Sequence, residues 1–183
     1  MTTMFRTTGR LSMGYDPGQV DEFFVHARRV YEGEVTDAID GRTVRRAAFD
    51  LVRHGYQPTA VDAALDRLEH AFVSRERTAF VATHGQQAWL EHLAERARTL
   101  YGRLARPDGE RFAPAPRRSP GYDPDEVDEV CRRLVDYFDN GHALSSAEIR
   151  QVTFTRRKGH DGYAEGPVDA FLERAVEVLL GVE

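Results

Sequence analysis

The sequence predicts an all-α protein made of tandem units, each with a short helix, a loop and a longer helix. The units form two duplicated modules with a central helical hairpin. Three observations predict this fold. A Gly-Tyr dipeptide, followed at a fixed distance by Val-Asp, occurs four times. Apolar residues recur with a helical period after each Gly-Tyr, and two of these stretches begin with a helix-capping sequence.

The four repeats share one spacing, in which four residues separate the Tyr from the Val. Gly14 and Gly55 are 41 residues apart, as are Gly121 and Gly162, and the second pair follows the first by 107 residues. This pattern indicates a pair of units that was duplicated. The dipeptides and their aspartates are Gly14-Tyr15 with Asp21, Gly55-Tyr56 with Asp62, Gly121-Tyr122 with Asp128, and Gly162-Tyr163 with Asp169.

The aspartate of each Val-Asp is the most repeated polar residue of the pattern. A catalytic residue is normally needed once, so four copies at one structural position favour an architectural role. We therefore expect each of these aspartates to bind the loop that precedes it, or the arginines of that loop.

An amphipathic helix is predicted after every Gly-Tyr, with apolar residues at positions i, i+3, i+4 and i+7. The first and third helices have a clear start, because Asp16 and Asp123 precede a proline and lie three residues before Gln19 and Glu126. This order is a capping box with proline at the first helical position. The second and fourth starts lack it, which predicts frayed or shifted ends. Cys131 falls on a core-facing position.

Residues 72–104 also keep a helical pattern, with a break at His84-Gly85. We expect one helix over 59–83 and another over 86–104, folded as an antiparallel hairpin. The predicted organisation has four parts. They are a first module at 1–71, a hairpin connector at 72–105, a Pro- and Gly-rich linker at 106–120, and a second module at 121–183 with Phe112 as its lead-in.

Catalytic and metal-binding motifs are absent from the sequence. The single cysteine excludes an intramolecular disulfide and a cysteine-based zinc site. There is no Gly-rich phosphate loop, no GxSxG and no HExxH. His84 and His92 are eight residues apart, with no partner ligand at helical spacing. We therefore expect no enzyme activity, no cofactor and no metal.

The charge and hydropathy of the chain restrict its partners. The net charge of −5 disfavours general binding to nucleic acid. No apolar run approaches the ~18 residues of a membrane span, and residues 1–13 lack the apolar core of a secretory signal. A cytoplasmic protein is expected.

Basic residues precede each Gly-Tyr, and acidic residues follow it, most clearly in the first and third repeats. Two interpretations of this polarity stay open. The basic loops pair with the acidic helix starts, where negative charge suits the helix dipole. Alternatively, they face an anionic membrane or an acidic partner.

The repeat resembles the N-terminal domain of DivIVA, a family of bacterial cell-division and polar-growth proteins, and the whole chain looks like the actinobacterial DivIVA-domain repeat proteins. The pattern is Phe, a basic loop, and Gly-Tyr-Asp-x-x-x-Val-Asp-x-Phe-Leu. The fullest match contains Ser145, Ile149, Arg150, Phe154, Gly162, Tyr163, Val168, Asp169, Phe171 and Leu172. The resemblance implies a non-enzymatic scaffold that dimerises, binds membranes at poles and septa, and recruits partner proteins.

In that family an aromatic and a basic residue just before Gly-Tyr contact the membrane. In this chain only the first repeat has apolar side chains there, Leu11 and Met13, beside Arg10. These three are the first candidate contact residues for a membrane or a partner. Arg156, Arg157 and Lys158, which precede the fourth Gly-Tyr, come second.

The expected function is a scaffold or adaptor in cell division or polar growth. Its expected partners are proteins of that machinery and, peripherally, an anionic membrane at a pole or septum. DivIVA-type domains pair between chains, so the protein is expected to be a monomer whose two modules pack as an internal pseudo-dimer, or a homodimer. The alternative function is a helix-turn-helix-like nucleic-acid-binding module. It is favoured by the basic short-helix starts of the second and fourth repeats, and opposed by the acidic helices that follow.

Overall fold

The computed structural model describes residues 3–183, so residues 1 and 2 of the predicted first module lie outside the described residues. The chain divides into two compact units, one that ends at Ala79 and one from Phe80 to Glu183. Helices dominate both units, and each unit also contains its own short antiparallel strands. The helical class predicted from the sequence is thus confirmed at this coarse level.

The first unit contains two short strands and three helices within the described residues. They are β1 (Met13–Tyr15), α1 (Pro17–Glu32), α2 (Gly41–Arg45), β2 (Leu51–Arg53) and the greater part of α3 (Pro58–His84). β1 pairs antiparallel with β2, with Tyr15 opposite Leu51 and Met13 opposite Arg53. The core lies between the helices, and its fully buried side chains include Val20, Ala27, Val44 and Val61.

The second unit begins with the end of α3. It continues with α4 (Gln86–Leu104), β3 (Pro120–Tyr122), α5 (Pro124–Asn140), α6 (Ser146–Arg150), β4 (Arg156–Lys158), a 3₁₀ turn (Gly159–Asp161), β5 (Tyr163–Ala164) and α7 (Glu165–Val182). The strands form an antiparallel sheet in the order β4-β3-β5. α7 packs against α4 and α6. The indole of Trp89 donates a hydrogen bond to the Gly181 carbonyl at 3.0 Å.

The predicted helix starts are largely confirmed. Asp16 accepts hydrogen bonds from the amides of Gly18 and Gln19, and Asp123 accepts one from Asp125. Neither start forms the predicted box, because the third-position side chain bonds elsewhere: Gln19 binds Asp50, and in α5 Glu126 binds Thr155. A complete capping box occurs instead at α6, between Ser145 and Glu148. α7 begins without a side-chain cap, as its sequence suggested.

The two long central helices lie within one residue of their predicted bounds, and they are separated at Gly85, whose φ is +88°. The compact units nevertheless divide the chain elsewhere than the predicted modules. α4 belongs to the second unit and packs on α5 and α7 rather than forming a separate connector. The predicted linker, 106–120, is also part of the second unit, because Phe112 and Ala115 are buried in it.

Candidate functional site

The first two Gly-Tyr dipeptides cross each other in the first unit. The amide of Tyr15 donates to the Tyr56 carbonyl at 3.0 Å, and the amide of Tyr56 donates to the Tyr15 carbonyl at 2.8 Å. The side chains are exchanged as well. The Tyr56 hydroxyl donates to Asp21 Oδ2 at 3.1 Å, and the Tyr15 hydroxyl lies close to the Asp62 carboxylate. Each tyrosine therefore lies beside the aspartate of the other repeat.

The second unit repeats these contacts with its own two dipeptides. Tyr122 lies opposite Tyr163 in the antiparallel pairing of β3 and β5. The Tyr163 hydroxyl donates to Asp128 Oδ2 at 3.0 Å, and the Tyr122 hydroxyl lies close to the Asp169 carboxylate. Burial, followed by the neighbouring carboxylate, raises the pKa of Tyr122.

The glycines of the dipeptides allow the two backbones to touch. A Cβ on Gly14 would meet the Tyr56 carbonyl oxygen and lie 2.8 Å from the Gly55 carbonyl carbon. A Cβ on Gly121 would lie 2.5 Å from the Tyr163 carbonyl oxygen. Real side chains do not tolerate such approaches to backbone atoms, so the crossing requires glycine at these positions.

The expectation that each aspartate binds its own preceding loop is wrong for Asp21, which binds the tyrosine of the paired repeat. The reason is that the two Gly-Tyr backbones cross. The crossing places the tyrosine of one repeat beside the start of the helix that follows the other repeat. Asp128 does both: it also accepts a hydrogen bond from the Gly109 amide at 2.6 Å and pairs with Arg111 at 3.1 Å.

The surroundings of Asp128 form a closed polar cluster in the second unit. Arg111 is 6% exposed, pairs with Asp108 as well as Asp128, and lies near Cys131. Burial raises the pKa of the Cys131 thiol to about 12, so the thiol is protonated at neutral pH and lacks its nucleophilic form. The cluster therefore holds the 106–112 segment on α5 and offers no activated nucleophile.

The first candidate contact residues lie at an exposed tip of the first unit. Leu11 is 88% exposed and Met13 is 50% exposed, and Arg10 beside them is also exposed. The register of β1 and β2 places Leu51, which is 56% exposed, and Arg53 on the same face of the ribbon as Met13. We call Arg10, Leu11, Met13, Leu51 and Arg53 the first-sheet tip.

The sequence analysis did not identify Leu51 and Arg53 as contact residues, because the segment Leu51–Arg53 is only 3 residues long and shows no strand period. The tip is held by His54, which has φ +57°. The His54 amide donates to the Ser12 carbonyl at 3.0 Å, and its ring Nδ1 lies 2.6 Å from the Thr8 carbonyl oxygen. These bonds fix the loop that carries Leu11.

The second candidate residues lie on β4 of the second unit, and two of them form ion pairs. Arg157 Nε donates to Asp123 Oδ2 at 2.7 Å, and Arg156 Nε lies 3.0 Å from Glu165 Oε1. The arginine lowers the pKa of Asp123. In this repeat the basic loop thus pairs with acidic helix starts, the first of the two interpretations. Lys158 is exposed at the end of the strand.

Within residues 3–183, no helix combines the length and the apolar character needed to cross a bilayer. The same residues contain no group of three or more His, Cys, Asp or Glu side chains arranged to hold a metal ion.

The chain has no match among protein-family models, among curated proteins or among solved structures.

Proposed function

We propose that this protein is a non-enzymatic, DivIVA-like scaffold or adaptor of bacterial cell division or polar growth. It acts through protein–protein contacts and binds an anionic membrane weakly, from the cytoplasmic side of a pole or septum. The proposal is supported by the fourfold sequence pattern, which resembles the DivIVA domain. The duplication of a two-repeat module belongs to the same proposal, since the paired contacts of each unit involve equivalent residues.

The observation that carries the membrane contact is the composition of the first-sheet tip. Leu11, Met13 and Leu51 expose apolar surface in a folded unit, while Arg10 precedes Leu11 in the chain and Arg53 lies opposite Met13 in the ribbon. Apolar side chains with neighbouring arginines suit the boundary between lipid headgroups and acyl chains. A single such tip combines hydrophobic insertion with attraction to anionic lipid.

The energies predict a weak contact. Full burial of a leucine or methionine side chain contributes roughly 1.5–3 kcal/mol, and each arginine near an anionic leaflet adds about 1 kcal/mol. The net charge of −5 opposes association of the whole chain with an anionic surface. The arginines of β4 contribute little, because Arg156 and Arg157 already pair with acidic side chains.

Co-sedimentation with vesicles of phosphatidylglycerol and phosphatidylcholine tests the membrane contact. We expect binding at low salt, reduced but measurable binding at about 0.15 M salt, and several-fold less bound protein for Leu11→Asp. The matched control is Val25→Asp, which adds the same charge at another exposed apolar residue of the first unit, 51% exposed on α1. Absence of binding at both salt concentrations, or equal loss in both variants, would overturn the membrane contact.

Fluorescence microscopy tests the cellular role. A fluorescent fusion expressed in a polar-growing bacterium is expected to concentrate at poles or septa. A uniform cytoplasmic signal for the wild-type fusion would count against a role in division or polar growth.

A further inference from the structure

The second unit contains an open apolar groove that the crossed repeats do not use. Its volume is about 390 Å³, and α4, the end of α5 and the end of α7 form its walls. Leu93, Ala97 and Val178 make a buried floor. The volume falls in the range of roughly 300–1,000 Å³ that is typical of binding clefts.

The exposed apolar surface of the second unit is concentrated at this groove. Leu90 is 47% exposed, Tyr101 is 38% exposed and Val182 is 47% exposed. Within the described part of this unit, these are the large apolar side chains with the greatest exposure, and all three line the groove. Contiguous exposed apolar side chains of this kind mark interaction sites more often than isolated ones.

The rim of the groove is acidic. The last turn of α5 carries Asp139 and no basic residue, at the helix end where the backbone dipole is negative. Asp139 accepts a hydrogen bond from the Tyr101 hydroxyl at 3.1 Å, which places this carboxylate beside the groove wall. Arg98 is the only cation among the lining residues, and it pairs with Glu95 at 2.6 Å.

We propose that this groove binds an amphipathic helix of a partner protein, whose apolar side chains fill the groove and whose lysines or arginines face the acidic rim. A groove recognises a docked helix through apolar side chains at positions i, i+3, i+4 and i+7 of that helix. Cations on its flanks meet both the carboxylate of Asp139 and the carboxyl end of α5. The inference rests on the proposed adaptor role and supplies the chemistry of its partner.

A second copy of the chain fits the groove less well than a basic helix. If two grooves met about a two-fold axis, the same surface of each copy would face the other. The exposed side chains that the other copy brings to the groove, Leu90, Tyr101 and Val182, then carry no positive charge to the carboxylate of Asp139. Charge complementarity therefore selects a basic partner.

The direct test measures fluorescence polarisation of a labelled helical peptide with full-length protein. The probe is a Leu/Lys peptide with leucine at i, i+3, i+4 and i+7, and the control peptide replaces every lysine with glutamate. We expect the Leu/Lys peptide to bind at least tenfold more tightly. Equal affinity for the two peptides would overturn the proposal, because the acidic rim would then not distinguish a basic helix from an acidic one.

Variants of the protein locate the binding. We expect Leu90→Lys, in the groove, and Asp139→Lys, on its rim, each to raise the Kd of the Leu/Lys peptide at least tenfold. Their matched controls are Val25→Lys on α1 and Glu110→Lys in an exposed loop of the second unit, which are expected to change the Kd less than twofold. Unchanged affinity of Leu90→Lys would exclude the groove.

Light scattering and vesicle binding separate the remaining outcomes. A wild-type dimer that Leu90→Lys converts to a monomer would overturn the proposal by assigning the groove to a second copy. Vesicle binding of Leu90→Lys is expected to match that of wild type, since the first-sheet tip is unchanged. Loss of peptide binding and loss of vesicle binding therefore test the groove and the membrane contact independently.

Discussion

The hydroxyl of Tyr56 lies 3.1 Å from Oδ2 of Asp21, so that a side chain of the second repeat stabilises α1, the helix of the first repeat. Tyr163 and Asp128 show the same relationship in the second unit, at 3.0 Å. Each unit therefore pairs its own two repeats. The two repeats of a unit depend on each other for their polar contacts.

Removal of the Tyr56 hydroxyl is expected to destabilise the protein by about 2 kcal/mol, the range for a hydrogen bond to a charged group. The loss leaves the Asp21 carboxylate poorly paired, because its other oxygen, Oδ1, is already buried without a hydrogen-bond partner. Urea unfolding of Tyr56→Phe measures the change. The control is Tyr31→Phe, whose ring is 41% exposed, with an expected change below about 0.5 kcal/mol. Similar losses in both variants would contradict the role of this bond.

The close contact of the Gly-Tyr backbones predicts that Gly121→Ala prevents folding or lowers the free energy of unfolding by several kcal/mol. The new methyl group would lie 2.5 Å from the Tyr163 carbonyl oxygen and 2.8 Å from Ala115 Cβ. Gly166→Ala is the matched control in the same unit. No atom lies within 4 Å of a Cβ at this position of α7, so this variant is expected to gain about 0.5–1 kcal/mol. Thermal unfolding that ranks the two variants the other way would refute the crossing.

The thiol of Cys131 is expected to be unreactive in the folded protein. Its side chain is fully buried, and its pKa of about 12 leaves almost no thiolate at neutral pH. Ellman's reagent should label the native protein only at the rate of unfolding and should label it promptly in concentrated urea. Rapid stoichiometric labelling without urea would show that the cluster around Asp128 opens.

Stability is expected to fall as the pH rises from about 10 to about 12. Burial is the largest cause that raises the pKa of Tyr163 from the ordinary value of 10.0 to about 12, and its bond to Asp128 adds to the shift. Between these values the unfolded state has lost the proton that the folded state still holds, so the unfolded state is favoured as the pH rises. This contribution to stability is complete below pH 10.

Urea unfolding at a series of alkaline pH values measures this slope, and phenolate absorbance follows the ionisation of tyrosine. Tyr163→Phe is expected to have a smaller slope than wild type over the same interval. An identical slope in the two proteins would mean that Tyr163 ionises as readily in the folded state as in the unfolded one.

The parts of the fold that could be predicted were those determined by local sequence. The helix Gln86–Leu104 has the bounds predicted for it, and Asp16 and Asp123 are N-caps. Apolar periodicity and side-chain capping act within a few turns of one helix, so a single sequence contains the information. The burial of Cys131 followed from the same periodicity.

The parts that could not be predicted depend on contacts between distant residues. Strands of three residues are too short to show a period, and nothing near Tyr56 in the sequence indicates Asp21 as its partner. The segment 106–120 resembles a linker in composition, yet Phe112 packs against Tyr163 and Phe171 with ring centroids 5.3 and 5.4 Å apart.

The candidate contact residues show the same division between local and distant information. The exposure of Leu11 and Met13 followed from their loop position, whereas the pairing of Arg157 with Asp123 required the three-dimensional structure.

The exchange of side chains between repeats has a consequence for biosynthesis. Tyr56 follows Asp21 by 35 residues, so the first helix is synthesised before its partner tyrosine. Until the second repeat is made, the edge of the first Gly-Tyr strand is unpaired, and unpaired strand edges accept strands from other chains. Slow translation between the two repeats therefore prolongs the interval in which this edge is open to wrong pairing.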